Sequence, residues 1–181
     1  MDNGASSYRR FLCGDDGAFD EIIKAYRESL VFFINRYVND PMTAEDLAID
    51  TFLELLIHRH RYSGKSSLKT YLFTIGRNKA IDHLRAKRRK TLVALEDAEH
   101  ELPAVPSPEA NIFRDETAKQ VNDAMAALPE EMRVALHLVY FEGLSYDETA
   151  RVMKKNRKQV DNLLYRAKNE LRSILGKEEL L

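Results

Sequence analysis

The strongest constraint on the fold is a break in periodicity. Between residues 91 and 111 the chain carries Pro103, Pro106 and Pro108 and the acids Glu96, Asp97, Glu99 and Glu101. Proline breaks a helix interior, and clustered like charges resist packing. The segment reads as a flexible acidic linker. Its roughly 20 residues average ~25 Å end to end when flexible. Fully extended, they reach ~70 Å. On both sides apolar residues recur at three- and four-residue steps, the period of an amphipathic helix. No stretch alternates with the period of a strand, and seven glycines and five prolines leave few tight turns. The expectation is an all-α chain: two small helical domains, residues 1–90 and 112–181, joined by the linker at 91–111.

In the first domain, Ile22, Ile23, Tyr26, Leu30, Phe33, Ile34 and Tyr37 predict a helix over residues 18–39. Asn39-Asp40-Pro41 is a turn. Thr43, with Asp46 three residues on, is the expected cap of a second helix running to about His58. Its inward set is Leu47, Phe52, Leu55 and Leu56. Residues 61–67 form a polar loop. A third helix starts near Leu68 and turns Leu72, Phe73, Ile75, Ile81 and Leu84 inward. It ends in the basic string Arg85-Ala86-Lys87-Arg88-Arg89-Lys90.

In the second domain, Ser107-Pro108 is a helix start, and residues 112–128 read as helical. Pro129-Glu130-Glu131 opens a further helix made apolar by Val134, Leu136, Leu138 and Val139, and Glu142-Gly143 stops it. Ser145 and Glu148 have the spacing of a capping box. After the short helix that follows, Lys154-Lys155 is a turn and Asn156 caps the last helix. There Val160, Leu163, Leu164, Ala167 and Leu171 point inward, and Lys158, Gln159, Asn162 and Arg166 point to solvent. A short helix, a tight turn and a polar-faced helix make a helix-turn-helix, whose second helix reads the major groove. Gln and Asn pair bidentately with adenine, and Arg with guanine. Lys154, Lys155 and Arg157 fall where phosphates would lie, beside the helix N-terminus.

Charge is segregated along the chain. Residues 1–57 hold 5 basic and 11 acidic side chains, residues 58–90 hold 11 and 1, residues 91–131 hold 2 and 10, and residues 132–181 hold 10 and 7. The net charge of −1 conceals this pattern. Eleven cations against one anion over 33 residues is the footprint of a polyanion.

The same inventory argues against other classes. The longest apolar run, residues 30–34, is far too short to span a bilayer, and the N-terminal residues lack the apolar core of a secretory peptide. One cysteine, Cys13, gives no disulfide framework and fits a reducing compartment. His58 and His60 diverge on a helix, and no carboxylate or cysteine nearby completes a metal site. There is no glycine-rich phosphate loop and no nucleophile motif. The expectation is a non-enzymatic protein without metal, cofactor or small-molecule substrate.

Three stretches together resemble a known family. Asp46-Leu47-Ala48-Ile49-Asp50-Thr51-Phe52-Leu53 resembles the polymerase-binding helix of bacterial sigma factors. Residues 66–85, Ser-Ser-Leu-Lys-Thr-Tyr-Leu-Phe-Thr-Ile-Gly-Arg-Asn-Lys-Ala-Ile-Asp-His-Leu-Arg, resemble the helix these proteins place at the upstream edge of the melted DNA. Leu128-Pro129-Glu130-Glu131, residues 141–150 and Tyr165-Arg166-Ala167-Lys168 resemble their C-terminal domain. Order and spacing are similar to the extracytoplasmic-function (ECF) group of the sigma-70 family, over residues 19–175.

The resemblance implies roles. Glu45, Asp46, Asp50 and Glu54 would dock on core RNA polymerase; Asp46, Asp50 and Glu54 step by four and share one face. Ser63, Ser66, Tyr71, Arg77, Asn78, Lys79, Asp82 and Arg85 would hold the downstream promoter element as it melts, the loop at 63–67 cradling an unstacked base. Phe73 is expected in the core. Lys155, Arg157, Lys158, Gln159, Asn162 and Arg166 would read the upstream element. The acidic linker would run inside the polymerase near the RNA exit path. The resemblance also implies a cytoplasmic protein, with an anti-sigma partner holding it, often at the membrane's inner face. Three positions depart from the family pattern. Tyr71 replaces a usual Trp, Lys154 a usual turn Gly, and Asp161 a usual basic residue. A stand-alone helix-turn-helix regulator is the alternative reading, but it leaves the basic block and the acidic second helix without a role.

Overall fold

The computed structural model describes residues 4–96 and 123–176. All elements among them are helical, with no β-strand. The chain divides into two compact units, Met1–Ser107 and Pro108–Leu181.

The first unit has four helices: α1 (Ala5–Leu12), α2 (Asp16–Val38), α3 (Pro41–Ile57) and α4 (Leu68–Glu96). Helix α2 packs against α1, α3 and α4, and α3 against α4. Ile22, Leu30, Phe33 and Ile34 of α2 are buried with Phe52 and Leu55 of α3 and Leu68, Leu72 and Phe73 of α4. Burying each of these side chains contributes roughly 1.5–3 kcal/mol. Phe33 lies 4.8 Å from Phe73, ring to ring. Helices α2 and α4 approach closely at Gly76, where a Cβ would lie 2.9 Å from Leu30 Cδ1 and 3.2 Å from Ile34 Cδ1.

Several boundaries differ from the sequence expectation. Helix α1 lies ahead of the first helix that the periodicity predicts. Its turn-and-a-half of apolar spacing is short, yet Tyr8 and Phe11 are buried. The Asp15 side chain accepts from the Ala18 N–H, starting α2 at Asp16. Asp40, rather than Thr43, caps α3, because Pro41 is pre-organised for the first helical position. Leu56 is exposed and Leu47 half-buried. The inner face of α3 keeps the expected Phe52 and Leu55 and adds Ala44, Ala48 and Thr51, small residues that let the helices approach closely. Ile81 and Leu84 are half-buried, since α4 runs past the bundle. It continues to Glu96, six residues into the expected linker, because the first helix breaker there is Pro103. Pro103, Pro106, Ser107-Pro108 and the acids Asp97, Glu99 and Glu101 lie outside the described residues, as does most of the helix expected at 112–128.

In the second unit, residues 123–127 are helical. Then come α5 (Glu130–Leu136), a π-helical turn (His137–Phe141), α6 (Tyr146–Met153) and α7 (Arg157–Leu175). Helix α7 packs on α5 and α6 through Val160, Leu163, Leu164 and Ala167. Val139 and Leu171, expected inside, are half-buried. The wider π turn buries the expected Leu138 and adds His137, whose ring stacks 5.5 Å from Phe141.

Candidate nucleic-acid interface

In the first unit, the basic block becomes a loop and a helix. The loop after α3 begins with a turn closed from the Arg61 N–H to the His58 carbonyl. It ends at Ser67, whose hydroxyl accepts from the Thr70 N–H at 3.2 Å and so starts α4. Ser63, Gly64 and Lys65 are exposed, and Gly64 takes a left-handed φ of 72° that suits glycine. Ser66 is half-buried, and its carbonyl accepts from the Tyr62 hydroxyl at 2.5 Å. Tyr71 is half-buried, its ring 5.1 Å from Tyr62. Burial raises the pKa of both phenols, and for Tyr71 the Glu54 carboxylate adds to the rise.

On α4, Tyr71, Asn78, Asp82 and Arg85 follow at steps of seven, four and three and so share a face. The Arg85 guanidinium lies 3.4 Å from Asp82. Beside them Ile81, Leu84, Arg85, Lys87, Arg88 and Thr91 line a shallow recess of mixed apolar and cationic character. Phe73 is buried, as expected.

The acids of α3 divide into two pairs. Glu45 is bridged to Arg27 of α2, and Glu54 lies 2.9 Å from Lys79 of α4. Asp46 and Asp50 are exposed. Beside them runs an apolar stripe to which the sequence reading assigns no role. Met42, Ile49, Leu53 and Leu56 repeat at seven, four and three residues, all exposed, with Met42 at 80% and the neighbouring Ile57 at 71%. The signal was present: α3 is apolar on more than its inner face.

In the second unit, the helix-turn-helix is capped twice. Ser145 and Glu148 form the expected capping box. Asn156 and Gln159 form another, each side-chain oxygen accepting from the other's backbone N–H at 2.8 Å. Gln159 thus has its amide oxygen committed to the cap, and its NH2 keeps its two donors. Lys158, Asp161, Asn162 and Arg166 are exposed on the outer face of α7. Arg157 lies 3.1 Å from Asp147 and Lys155 2.7 Å from Glu131, so both cations are held by acids. Lys154 adopts the left-handed conformation, φ 54° and ψ 44°, at the end of α6. The turn keeps its glycine-type geometry, and the lysine carries the strain.

Among the described residues, no cluster of His, Cys, Asp or Glu is arranged to hold a metal ion. No described helix is long and apolar enough to cross a membrane. Cys13, expected before the first helix, is exposed between α1 and α2.

A cationic loop-and-helix surface in one helical unit and a capped helix-turn-helix in the other define a two-part DNA-binding protein. Comparison with known proteins identifies its family. Residues 22–90 match sigma-70 region 2, and residues 118–171 match sigma-70 region 4. The RNA polymerase sigma-H factor of Pseudomonas aeruginosa is 35% identical over 170 residues, covering 90% of this chain and 88% of that protein. The ECF RNA polymerase sigma factor SigM of Bacillus subtilis is 31% identical over 160 residues, covering 87% of this chain and 95% of that protein. The sigma factor RpoE from Bartonella quintana, solved with the anti-sigma factor NepR, has the same fold, with TM-score 0.68 and 23% identity over 89% of this chain and 98% of that chain. The chain belongs to the ECF group of sigma-70 RNA polymerase sigma factors.

Proposed function

We propose that the protein directs core RNA polymerase to promoters through two DNA elements, one read by each unit. The observation that carries this reading is the pairing of two distinct DNA-directed surfaces in one chain. The α3–α4 loop with α4 suits an unstacked strand, and α7 suits the major groove of a duplex. In the first unit, Ser63, Ser66, Tyr71, Asn78, Asp82 and Arg85 hold the non-template strand of the downstream element, with Arg77 and Lys79 at the flanks. In the second, Asn162 and Arg166 contact base edges of the upstream element, Gln159 adds its NH2, and Lys155, Arg157 and Lys158 approach phosphates.

The outer face of α3 docks on the polymerase. Exposed Asp46 and Asp50 border the stripe of Met42, Ile49, Leu53 and Leu56. Glu45 and Glu54 tie that face to α2 and α4. An apolar stripe rimmed by acids is also a surface that an inhibitory partner covers. The solved RpoE of Bartonella quintana is in complex with an anti-sigma factor. An anti-sigma partner for this chain is proposed on the same face. The protein acts as an initiation factor and carries out no catalytic step of its own.

Run-off transcription tests the reading. Purified core polymerase, with and without the protein, is given a pool of random promoters, and the transcripts are sequenced. A two-part motif enriched only with the protein supports it. Duplex binding without polymerase, and no transcription with it, supports a stand-alone regulator.

A further inference from the structure

Helix α1 reaches the loop that is proposed to receive the unstacked base. Tyr8 is 3% exposed, and its hydroxyl donates to the carbonyl of Arg59 at the loop's start. Its ring meets Tyr62 edge-on, 4.9 Å away at 86°. Tyr62 continues the series to Tyr71 and donates to the carbonyl of Ser66. Two phenols thus fasten the loop near both ends, and Ser63, Gly64 and Lys65 remain exposed between them. Burial, then the neighbouring Tyr71 and Tyr62, push the Tyr8 phenol up to about 12, so it remains a hydrogen-bond donor at neutral pH.

Helix α1 is itself held firmly. The Phe11 and Phe19 rings lie 4.9 Å apart. Arg10 bridges Asp15 at 2.7 Å and Glu21 at 3.0 Å, and the Ser7 hydroxyl donates to Glu21 at 2.9 Å. Tyr8 also precedes the stretch that matches region 2, which begins at residue 22.

We infer that Tyr8 is a positioning residue for downstream-element recognition: α1 acts as a strut that sets the shape of the α3–α4 loop before an unstacked base arrives. Binding a flipped base to an unordered loop incurs the entropy of ordering it, and a loop already in shape avoids that loss. The inference rests on the proposed role of the loop.

The test uses holoenzyme assembled from core polymerase and the full-length protein, either wild type or Tyr8→Phe. Phenylalanine keeps the buried ring and removes the hydroxyl. The probe is a single-stranded oligonucleotide carrying the selected downstream element, with each of the four bases in turn at the unstacked position. Tyr8→Phe should weaken binding of the preferred base about fivefold, the net worth of one hydrogen bond. It should also flatten discrimination among the four bases. Core affinity and upstream duplex binding should not change. Amide exchange should accelerate at residues 59–66 while the α2 amides keep their protection. A general loss of stability would speed exchange in α2 and at residues 59–66 alike and would leave the base ratios intact; that result overturns the inference. So does a folded Tyr8→Phe protein with wild-type strand affinity. Should Tyr8→Phe fail to fold, Tyr62→Phe releases the other end of the loop, and unchanged base ratios there overturn the inference too. A wild-type holoenzyme that ignores the strand altogether identifies a different failure, that of the loop's proposed role.

Discussion

The Lys79 ammonium lies 2.9 Å from the Glu54 carboxylate and joins α4 to α3. The two residues come from faces proposed to meet different partners, DNA for α4 and polymerase for α3. The bridge therefore links these faces across the packed α3–α4 contact. Both side chains are partly exposed, so its strength is modest. A double-mutant cycle with Glu54→Ala and Lys79→Ala should give a coupling of about 0.5–1 kcal/mol in urea unfolding. The exchange Glu54→Lys with Lys79→Glu should recover most of the stability but not polymerase affinity. Recovery of both would show that Glu54 serves the fold alone.

Lys154 sits in left-handed backbone geometry. Lys154→Gly should stabilise the second unit by about 1 kcal/mol, because glycine adopts this conformation without a Cβ clash. Differential scanning calorimetry would read a higher midpoint. A lower midpoint would mean that the lysine stem packs favourably enough to outweigh its backbone strain.

Gly76 lies inside α4, where alanine would ordinarily favour the helix by about 1 kcal/mol. Here the added methyl meets the buried tips of Leu30 and Ile34. Overpacking of this kind costs roughly 1–3 kcal/mol, so Gly76→Ala should be net destabilising. Chemical denaturation of the full chain gives the sign directly.

Arg166 projects from the outer face of α7. Arg166→Ala should cost about 1–3 kcal/mol at one base position of the upstream element and leave the others unaffected. Equal loss on every promoter variant would place Arg166 on phosphate. The salt dependence of binding would then flatten by about one counterion.

Arg10 links α1 to α2, and the acids respond to it. The Arg10 hydrogen bond lowers the pKa of Asp15; the hydroxyl of Ser7, followed by Arg10, lowers that of Glu21. A depressed carboxylate contributes stability above its ordinary range, and that contribution disappears as pH falls through the folded-state value. Arg10→Ala should therefore reduce amide protection in α1 at neutral pH. The gap between variant and wild type should close in acid, below about pH 4. A gap that is independent of pH would assign the effect to packing of the arginine stem.

Much of this architecture was legible from residues in order. The capping box of Ser145 with Glu148 and the Asn156 cap are local, set by contacts three residues apart, and the structure has both where the spacing put them; the reciprocal Gln159 bond that completes a second box comes from the structure. The buried face of α7 follows from helical period alone. The start of α3 was misplaced because two good caps, Asp40 and Thr43, compete, and Pro41 decides between them. Helix α1 was missed because eight residues carry too little periodicity. Its stability comes from Phe19 and Glu21 on the next helix and from Asp15, which caps that helix.

Two properties were decided by the sequence alone: the helical class, and a basic block at residues 58–90 placed ahead of a capped helix-turn-helix. Both depend on neighbours three or four residues apart, where local propensity and charge act without long-range contacts. Tertiary structure decided which of the many polar groups are already engaged. Lys79 meets Glu54 across 25 residues of chain, Lys155 meets Glu131, and Tyr8 reaches Arg59 from a helix 51 positions away. Such pairings arise only when helices cross, because packing a shared apolar core brings distant side chains within hydrogen-bond distance.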